Sequence, residues 1–273
     1  PSGNSHLLIR VDTTSTVFLP VFFSTYGASA QAQENLMAWN GAFYGMLFAM
    51  VFYNLFLFLS LREATYFWYV AYGLNVGLLG ACFDGMLFKL LPDYTALQAV
   101  SIYILLFTQT LAAAQFSRHF LHTKDFFPRL DAGLRLAMLV ILALLLSGLL
   151  LDLQLWGALA SLTLLSTSLA LLLVGVFMWR QGVRYGSYYT LAWSVLLTAF
   201  AIVTAGSLGF ELLGLYGATT IKLGVTIELI TLSIGLANRI NILKDEGFNS
   251  RRAAEQANLA NLANGRVLAT VSH

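Results

Sequence analysis

The stretch GAFYGMLFAMVFYNLFLFLSLREATYFWYVAYGL, from Gly41 to Leu74, decides the fold class of this protein. It covers nearly all of one apolar run, at about 39–60, and the first half of a second, at about 65–83, with the short charged turn Arg62-Glu63 between them. Each run is long enough to cross, as a helix, a hydrocarbon core about 30 Å thick. The alternation typical of membrane barrel strands is missing from both runs. The stretch therefore predicts two transmembrane helices joined by a tight turn.

The rest of the chain repeats this pattern. The composition is 58% hydrophobic and only 10% charged, which excludes an ordinary soluble domain. Further apolar runs of spanning length lie at about 95–117, 134–151, 155–178, 188–209 and 218–237. The predicted fold class is an all-α membrane protein with a seven-transmembrane helix bundle over 39–237. The single cysteine, Cys82, excludes an internal disulfide.

The basic residues are distributed unequally between the two ends of the predicted bundle. Only Arg10, Lys89 and Lys222 belong to one end. The loops after the first, third and fifth helices, together with the tail, hold the other 12 of the 15 Lys and Arg residues: Arg62, Arg118, Lys124, Arg129, Arg135, Arg180, Arg184, Arg239, Lys244, Arg251, Arg252 and Arg266. Because cytoplasmic loops are enriched in basic residues, we expect the N-terminus outside and the C-terminus inside the cell.

The segment before the first helix has a different composition. HLLIRVDTTSTVFLPVFFST, from His6 to Thr25, is rich in β-formers and is broken by a Thr/Ser turn. A lone hairpin is marginal in water, so we interpret 1–25 as the closing strands of a larger extracytoplasmic β-domain, with 26–38 as its linker to the bundle. No signal peptide is visible near the start. We expect the chain to be a piece of a longer protein.

Three segments show a family resemblance. The stretch 41–74, with its Tyr53-Asn54 pair and Arg-Glu turn, resembles the bacterial seven-transmembrane receptors with diverse intracellular signalling modules (7TMR-DISM). FSRHFLHTKDFFPRLD at 116–131 and GVRYGSYYTLAW at 182–193 are similar to intracellular loops of that family. The resemblance covers about residues 5–240. It implies a periplasmic jelly-roll sensing domain, an inner-membrane bundle, and an output domain that is a histidine kinase, a diguanylate cyclase, a phosphatase or an adenylate cyclase.

The tail, 238–273, indicates which output follows. Small and apolar residues recur there with a loose helical spacing, which predicts a cytoplasmic signalling helix: Leu243, Ala257, Ala260, Val267 and Val271. Glycine and polar residues interrupt this pattern and weaken any coiled-coil seam: Gly247, Ser250, Asn261 and Asn264. The final VLATVSH resembles the start of the phosphoacceptor helix of histidine kinases. A coincidental terminal histidine is the competing interpretation.

The resemblance assigns His273 as the phosphoacceptor. An exposed imidazole there would attack the γ-phosphate of ATP and later transfer the phosphoryl group to an aspartate. No Gly-rich nucleotide site is present, so we expect no cofactor in this segment. ATP and Mg²⁺ are expected to bind elsewhere in the parent kinase. The parent could also be a hybrid histidine kinase. The segment is not predicted to be catalytic alone.

Several polar and small residues interrupt the apolar runs. Glu228 lies near the middle of the seventh helix, where a carboxylate needs a partner, a water-filled cavity or a proton, and we consider a coupling role beside a structural one. Asn54 and Asn75 are predicted to donate interhelical hydrogen bonds. Small-xxx-small pairs allow close packing within the bundle or dimerisation: Gly41 with Gly45, and Gly73 with Gly77. His119 and His122 lack a third ligand nearby, so no metal site is predicted.

Two functions stay open at this stage. The first is the transmembrane transduction module of a sensor histidine kinase in the bacterial inner membrane. Its expected partners are a periplasmic small ligand, with carbohydrate as a candidate, a second copy of the chain, and a response regulator or partner kinase, with no nucleic acid. The second is a seven-helix transporter or small-ligand receptor with an intramembrane site. Transporters usually contain internal repeats, and we find none that is convincing.

Overall fold

The computed structural model describes residues 25–207 and 217–271, and the described residues are helical except at the turns. The helices are α1 (Tyr26–Leu61), α2 (Ala64–Phe83), α3 (Met86–Leu90), α4 (Thr95–Phe120), α5 (Thr123–Phe126), α6 (Pro128–Leu146), α7 (Leu153–Arg180), α8 (Gly186–Ser207) and α9 (Gly217–Val271), with a 3₁₀ turn at Ser147–Leu149. Seven of the described helices, namely α1, α2, α4 and α6 to α9, are long and apolar enough to cross a membrane, which confirms the predicted number.

Two predictions concern residues that the structure does not describe. The β-strands expected in the N-terminal segment belong to residues 1–24, and the phosphoacceptor His273 belongs to residues 272–273. Both stay predictions from the sequence.

Local residue chemistry explains where the helices begin and end. Arg62 adopts a left-handed conformation with φ of 53°, which terminates α1, and extended Glu63 precedes α2. Asp152 caps α7 because its side chain accepts a hydrogen bond from the Leu155 amide at 3.0 Å. Pro128 stands at the first position of α6, where its missing amide hydrogen costs nothing. The short turn read from the sequence between the first two spans is therefore present.

The first helix is longer than the predicted span. Residues 26–38, which we expected to act as a linker, form its first turns and are exposed. Ala, Gln, Glu and Leu in this segment favour a helix, and the Thr25 hydroxyl accepts a hydrogen bond from the Ala28 amide at 3.4 Å. The 36 residues of α1 measure about 54 Å at the usual helical rise, which exceeds the hydrocarbon thickness. A helical extension therefore stands before the bundle.

Neighbouring helices form a ring in which α1 contacts α2, α2 contacts α4, α4 contacts α7, α7 contacts α8, α8 contacts α9, and α9 returns to α1. The helix α6 packs outside this ring against α4. Buried aromatic side chains fill much of the interior, including Tyr66, Tyr69, Phe116, Phe120 and Tyr189. The first and last spanning helices of the described chain are thus in direct contact.

The glycine pairs differ in their packing. A Cβ atom on Gly73 would lie 2.8 Å from the Val51 side chain, and one on Gly77 would lie 2.7 Å from Leu47, so α2 approaches α1 closely at both positions. A Cβ atom on Gly41 or on Gly45 would meet nothing within 4 Å. Packing inside the bundle is therefore confirmed for the α2 pair, whereas the α1 pair packs against none of the described residues.

Candidate functional site

The last helix, α9, carries three charged side chains that contact other helices: Lys222, Glu228 and Arg239. Along a helix these positions span about 25 Å, which is most of the hydrocarbon thickness. We call the bundle end near Arg239 the basic end, because the turns after α1, α4 and α7 meet there. The end near Lys222 is called the opposite end.

At the opposite end, Lys222 is held by an ion pair. Its ammonium nitrogen lies 2.6 Å and 2.8 Å from the two carboxylate oxygens of Asp84, and it donates to Asn40 Oδ1 at 2.7 Å. Tyr44 donates its hydroxyl hydrogen to the same carboxylate at 2.6 Å. The pair joins α9 to α1 and to the end of α2. Sequence reasoning missed Asp84, although an acidic residue directly after an apolar run was a usable signal.

Glu228 is fully buried in the middle of the bundle. The hydroxyl of Tyr72 on α2 donates to Glu228 Oε1 at 2.7 Å, while Oε2 has no hydrogen-bond partner among the described residues. One turn away, Tyr69 donates to the Leu229 carbonyl oxygen at 2.8 Å. Tyr72 is therefore the partner that the buried carboxyl group was expected to need. Hydroxyl groups of two α2 tyrosines, Tyr72 and Tyr69, donate hydrogen bonds to the consecutive α9 residues Glu228 and Leu229.

The two asparagines make the predicted interhelical contacts. Asn54 Nδ2 on α1 donates to Ser233 Oγ on α9 at 3.3 Å, and also to the Met50 carbonyl oxygen at 2.8 Å. Asn75 Nδ2 on α2 donates to Thr108 Oγ1 on α4 at 2.8 Å. The first contact links the first and last spanning helices directly.

At the basic end, the guanidinium group of Arg239 is buried against the α1–α2 turn. Its Nη1 donates to Thr65 Oγ1 at 2.9 Å, and its Nη2 forms an ion pair with Glu63. Only 1% of Arg239 is exposed. Its Nη2 also lies 3.2 Å from His122 Nε2. Arg239 therefore binds α9 to the Arg62-Glu63 turn and the start of α2, at the end of the bundle.

His122 completes this cluster as a hydrogen-bond acceptor. Burial in the first place, and the positive charge of Arg239 in the second, lower the pKa of His122 below its ordinary value. A neutral imidazole can accept a hydrogen bond from the guanidinium group, whereas a protonated one would repel it. The other histidine of the pair, His119, stacks on Trp68 with ring centroids 6.5 Å apart. The two histidines therefore have different partners.

A second buried ion cluster shapes the loop between α4 and α6. Asp131 is fully buried and receives Nε and Nη2 of Arg118 at 2.8 Å and 3.1 Å. Thr123 Oγ1 donates to it at 2.8 Å, and Arg135 lies 2.6 Å away. A carboxylate in the first turn of a helix also suits the helix dipole. Sequence reasoning missed this cluster, because it counted Arg118 and Arg135 only as basic residues of the loop.

Glu228→Gln is expected to alter signalling in the full-length protein without lowering expression or membrane insertion. Glutamine keeps a carbonyl oxygen that can accept from Tyr72, but it cannot carry charge or release a proton. Output should be measured with a transcriptional reporter and protein amount by immunoblot of the membrane fraction. Glu34→Gln, on the exposed start of α1, is the matched control. Unaltered output across ligand conditions would make Glu228 a packing residue only.

A family model matches most of the chain. The model of the family described as 7TM diverse intracellular signalling matches residues 36–239. This range begins within the first spanning helix and ends at Arg239, the residue that closes the contact at the basic end. Searches of curated proteins and of solved structures found no match. Because the match covers most of the chain, the protein belongs to the family of seven-transmembrane proteins with diverse intracellular signalling, and its bundle is a membrane-embedded sensory module linked to intracellular signalling.

Proposed function

We propose that this bundle is the transmembrane transduction module of a bacterial sensor histidine kinase, which relays a periplasmic ligand signal to His273. The observation that carries the proposal is the continuity of α9, a single helix of 55 residues from Gly217 to Val271. The spanning part and the residues that we expect to form a signalling helix belong to one continuous helix. A shift or rotation of α9 inside the bundle would therefore reach the residues just before His273.

The contacts of α9 supply the input route. The helical extension of α1, residues 26–38, follows the segment assigned to the sensing domain. From α1, contacts reach α9 through Asn40 and Lys222 and through Asn54 and Ser233. A ligand that binds one arrangement of these two helices more tightly would shift the population towards it. The direct contact between input and output helices favours this route.

The proposal includes its partners. The parent kinase supplies ATP and Mg²⁺ through a separate domain, and the phosphoryl group passes to a response regulator or reaches the relay of a partner kinase. A second copy of the chain is included because phosphoacceptor helices of such kinases pair. The periplasmic ligand is a small molecule, for which carbohydrate is the candidate that the resemblance implies.

The proposed topology places the basic end in the cytoplasm and residues 1–24 in the periplasm. In a Cys82→Ala background, a cysteine at Asp93 or at Leu150 should react with a membrane-impermeant maleimide added to whole cells. Leu150 is 88% exposed and is preferable to Asp152, which caps α7. Cysteines at exposed Lys124 and Arg184 should react only after lysis. The reverse pattern would overturn the orientation.

Inserting one residue near Asn258 is expected to lock or invert the output of the full-length protein. One added residue rotates the following helix by about 100°, so the phosphoacceptor face turns away from its present direction. Seven added residues make about two full turns and should approximately restore the output. The seven-residue insertion is the matched control for length. If both insertions left signalling intact, the helix after Arg239 would be a passive tether.

A further inference from the structure

A cavity of about 490 Å³ lies inside the helix ring. Side chains from α1, α2, α4, α7, α8 and α9 line it, and most of them are apolar, among them Val76, Leu106, Leu171, Leu196 and Val225. The volume is in the range of small-molecule sites, about 300–1,000 Å³. The ring of helices therefore leaves a partly open space that could hold a ligand.

One face of α7 shows that this space is unfilled by side chains. Ser161, Leu165 and Ser168 line the cavity and share a helix face, since they are separated by four and three residues. Leu165 is 48% exposed, so the cavity is open along this part of α7. Interiors normally bury such a face to native density. The described helices leave room here for an additional group.

The chemistry of the lining selects an apolar occupant. Water needs two to four polar partners to fill a cavity stably, and most of this lining offers it none. The hydroxyl groups of Thr110 and Ser168 are already engaged with carbonyl oxygens of their own helices at 2.8 Å and 2.7 Å. A lipophilic group would regain the dispersion contacts that an empty cavity loses.

Two lining residues supply unmet hydrogen-bonding capacity. Gln109 Oε1 and Trp193 Nε1 are buried and make no hydrogen bond of good geometry with the described residues, although the Tyr189 hydroxyl group also interacts with Trp193. The two residues are 5% and 2% exposed. The first atom accepts and the second donates, and a hydroxyl group can do both in return. Lys222 and Asp84 also line the cavity, but they neutralise each other. The site therefore favours a neutral ligand.

We propose that this cavity binds a neutral lipophilic small molecule that carries a hydroxyl group. The hydroxyl hydrogen is donated to Gln109 Oε1, and the apolar body fills the space between α4, α7 and α8. The lining includes Tyr72 and Lys222, which hold α9 through Glu228 and Asp84. A bound ligand would therefore contact two residues, Tyr72 and Lys222, whose hydrogen bonds fix the position of α9. The binding claim rests on the cavity and is independent of the kinase proposal.

The test uses the full chain in nanodiscs of phosphatidylethanolamine and phosphatidylglycerol. The probe is a ten-carbon primary alcohol with a diazirine on its chain, and cross-linked peptides are identified by mass spectrometry. We expect saturable labelling of lining residues on α7 and α8. Free 1-decanol should compete about tenfold better than 1-methoxydecane, which cannot donate a hydrogen bond to Gln109. Decanoate should also compete poorly, because Lys222, the cation among the described lining residues, is already paired with Asp84.

Two serines of α7 provide a matched pair of variants. Ser161→Phe places a ring in the cavity and should abolish saturable labelling. Ser166→Phe makes the same change at an exposed position outside the lining and should preserve it. Gln109→Leu should retain labelling but remove the preference for 1-decanol over 1-methoxydecane.

Three results would overturn the proposal. Labelling that never saturates and spreads over the lipid-facing surface would show ordinary partition into the bilayer. Equal labelling of Ser161→Phe and Ser166→Phe would place the probe outside the cavity. Equal competition by 1-decanol and 1-methoxydecane in the unchanged protein would refute the hydroxyl requirement. Because labelling is measured without ATP, failure of the kinase proposal would leave each of these results interpretable.

Discussion

Replacing His273 with Gln in the full-length protein should abolish phosphoryl incorporation from γ-labelled ATP while membrane insertion stays normal. In the proposed function the imidazole nitrogen is the attacking nucleophile, and a glutamine amide nitrogen is not nucleophilic because its lone pair is delocalised. The expected loss is therefore complete, since no other group of the relay can accept the first phosphoryl transfer. Autoradiography of purified protein in membranes measures incorporation, and the label should be acid-labile, as expected for phosphohistidine.

His6→Gln is the matched control for this experiment. The same substitution is then made at a histidine that the proposed topology places on the other side of the membrane, so labelling should be unchanged. Undiminished labelling of the His273→Gln protein would refute the phosphoacceptor assignment. The transduction role of the bundle would then need a different output, such as one of the cyclases that the family resemblance implies.

Arg239→Met should lower the free energy of unfolding of the bundle. The change leaves Glu63 and Thr65 without the guanidinium group that binds them, and a hydrogen bond to a charged group contributes about 1.5–3 kcal/mol. Glu63 keeps a third of its side chain exposed and regains some hydration, so we expect a loss of about 2–3 kcal/mol. Denaturation in detergent micelles, followed by circular dichroism, measures it.

The output of the same variant should no longer respond to ligand, because the end of α9 near residue 239 has lost its ion pair with the α1–α2 turn. Lys244→Met is the control, since Lys244 is exposed on the same helix. A double-mutant cycle with Glu63→Gln should give a coupling energy of at least about 1 kcal/mol. A coupling energy of zero, together with unchanged stability of the Arg239→Met protein, would show that the ion pair does not stabilise the bundle.

The membrane-spanning character of the chain was predictable from local sequence. Hydrophobic length alone identifies a spanning helix, because a bilayer leaves the backbone few other ways to satisfy its hydrogen bonds. The tight turn at Arg62-Glu63 was equally local. The first apolar span is predicted to begin at about residue 39, whereas the helix that contains it begins at Tyr26, because low hydrophobicity ends a membrane span but does not end a helix.

The sequence by itself determined the spanning helices, the unequal distribution of basic residues, and the presence of polar groups that required partners within the bundle. Only the tertiary structure decided which partners these were. Glu228 meets Tyr72, Lys222 meets Asp84, and Arg239 meets the α1–α2 turn. Residues from 138 to 176 positions apart meet in these contacts, and the hydropathy of a helix is nearly independent of how its face is rotated towards its neighbours. Helix rotation is fixed by packing, so close approaches such as those of Gly73 and Gly77, and the cavity left inside the ring, become visible only when the helices are assembled.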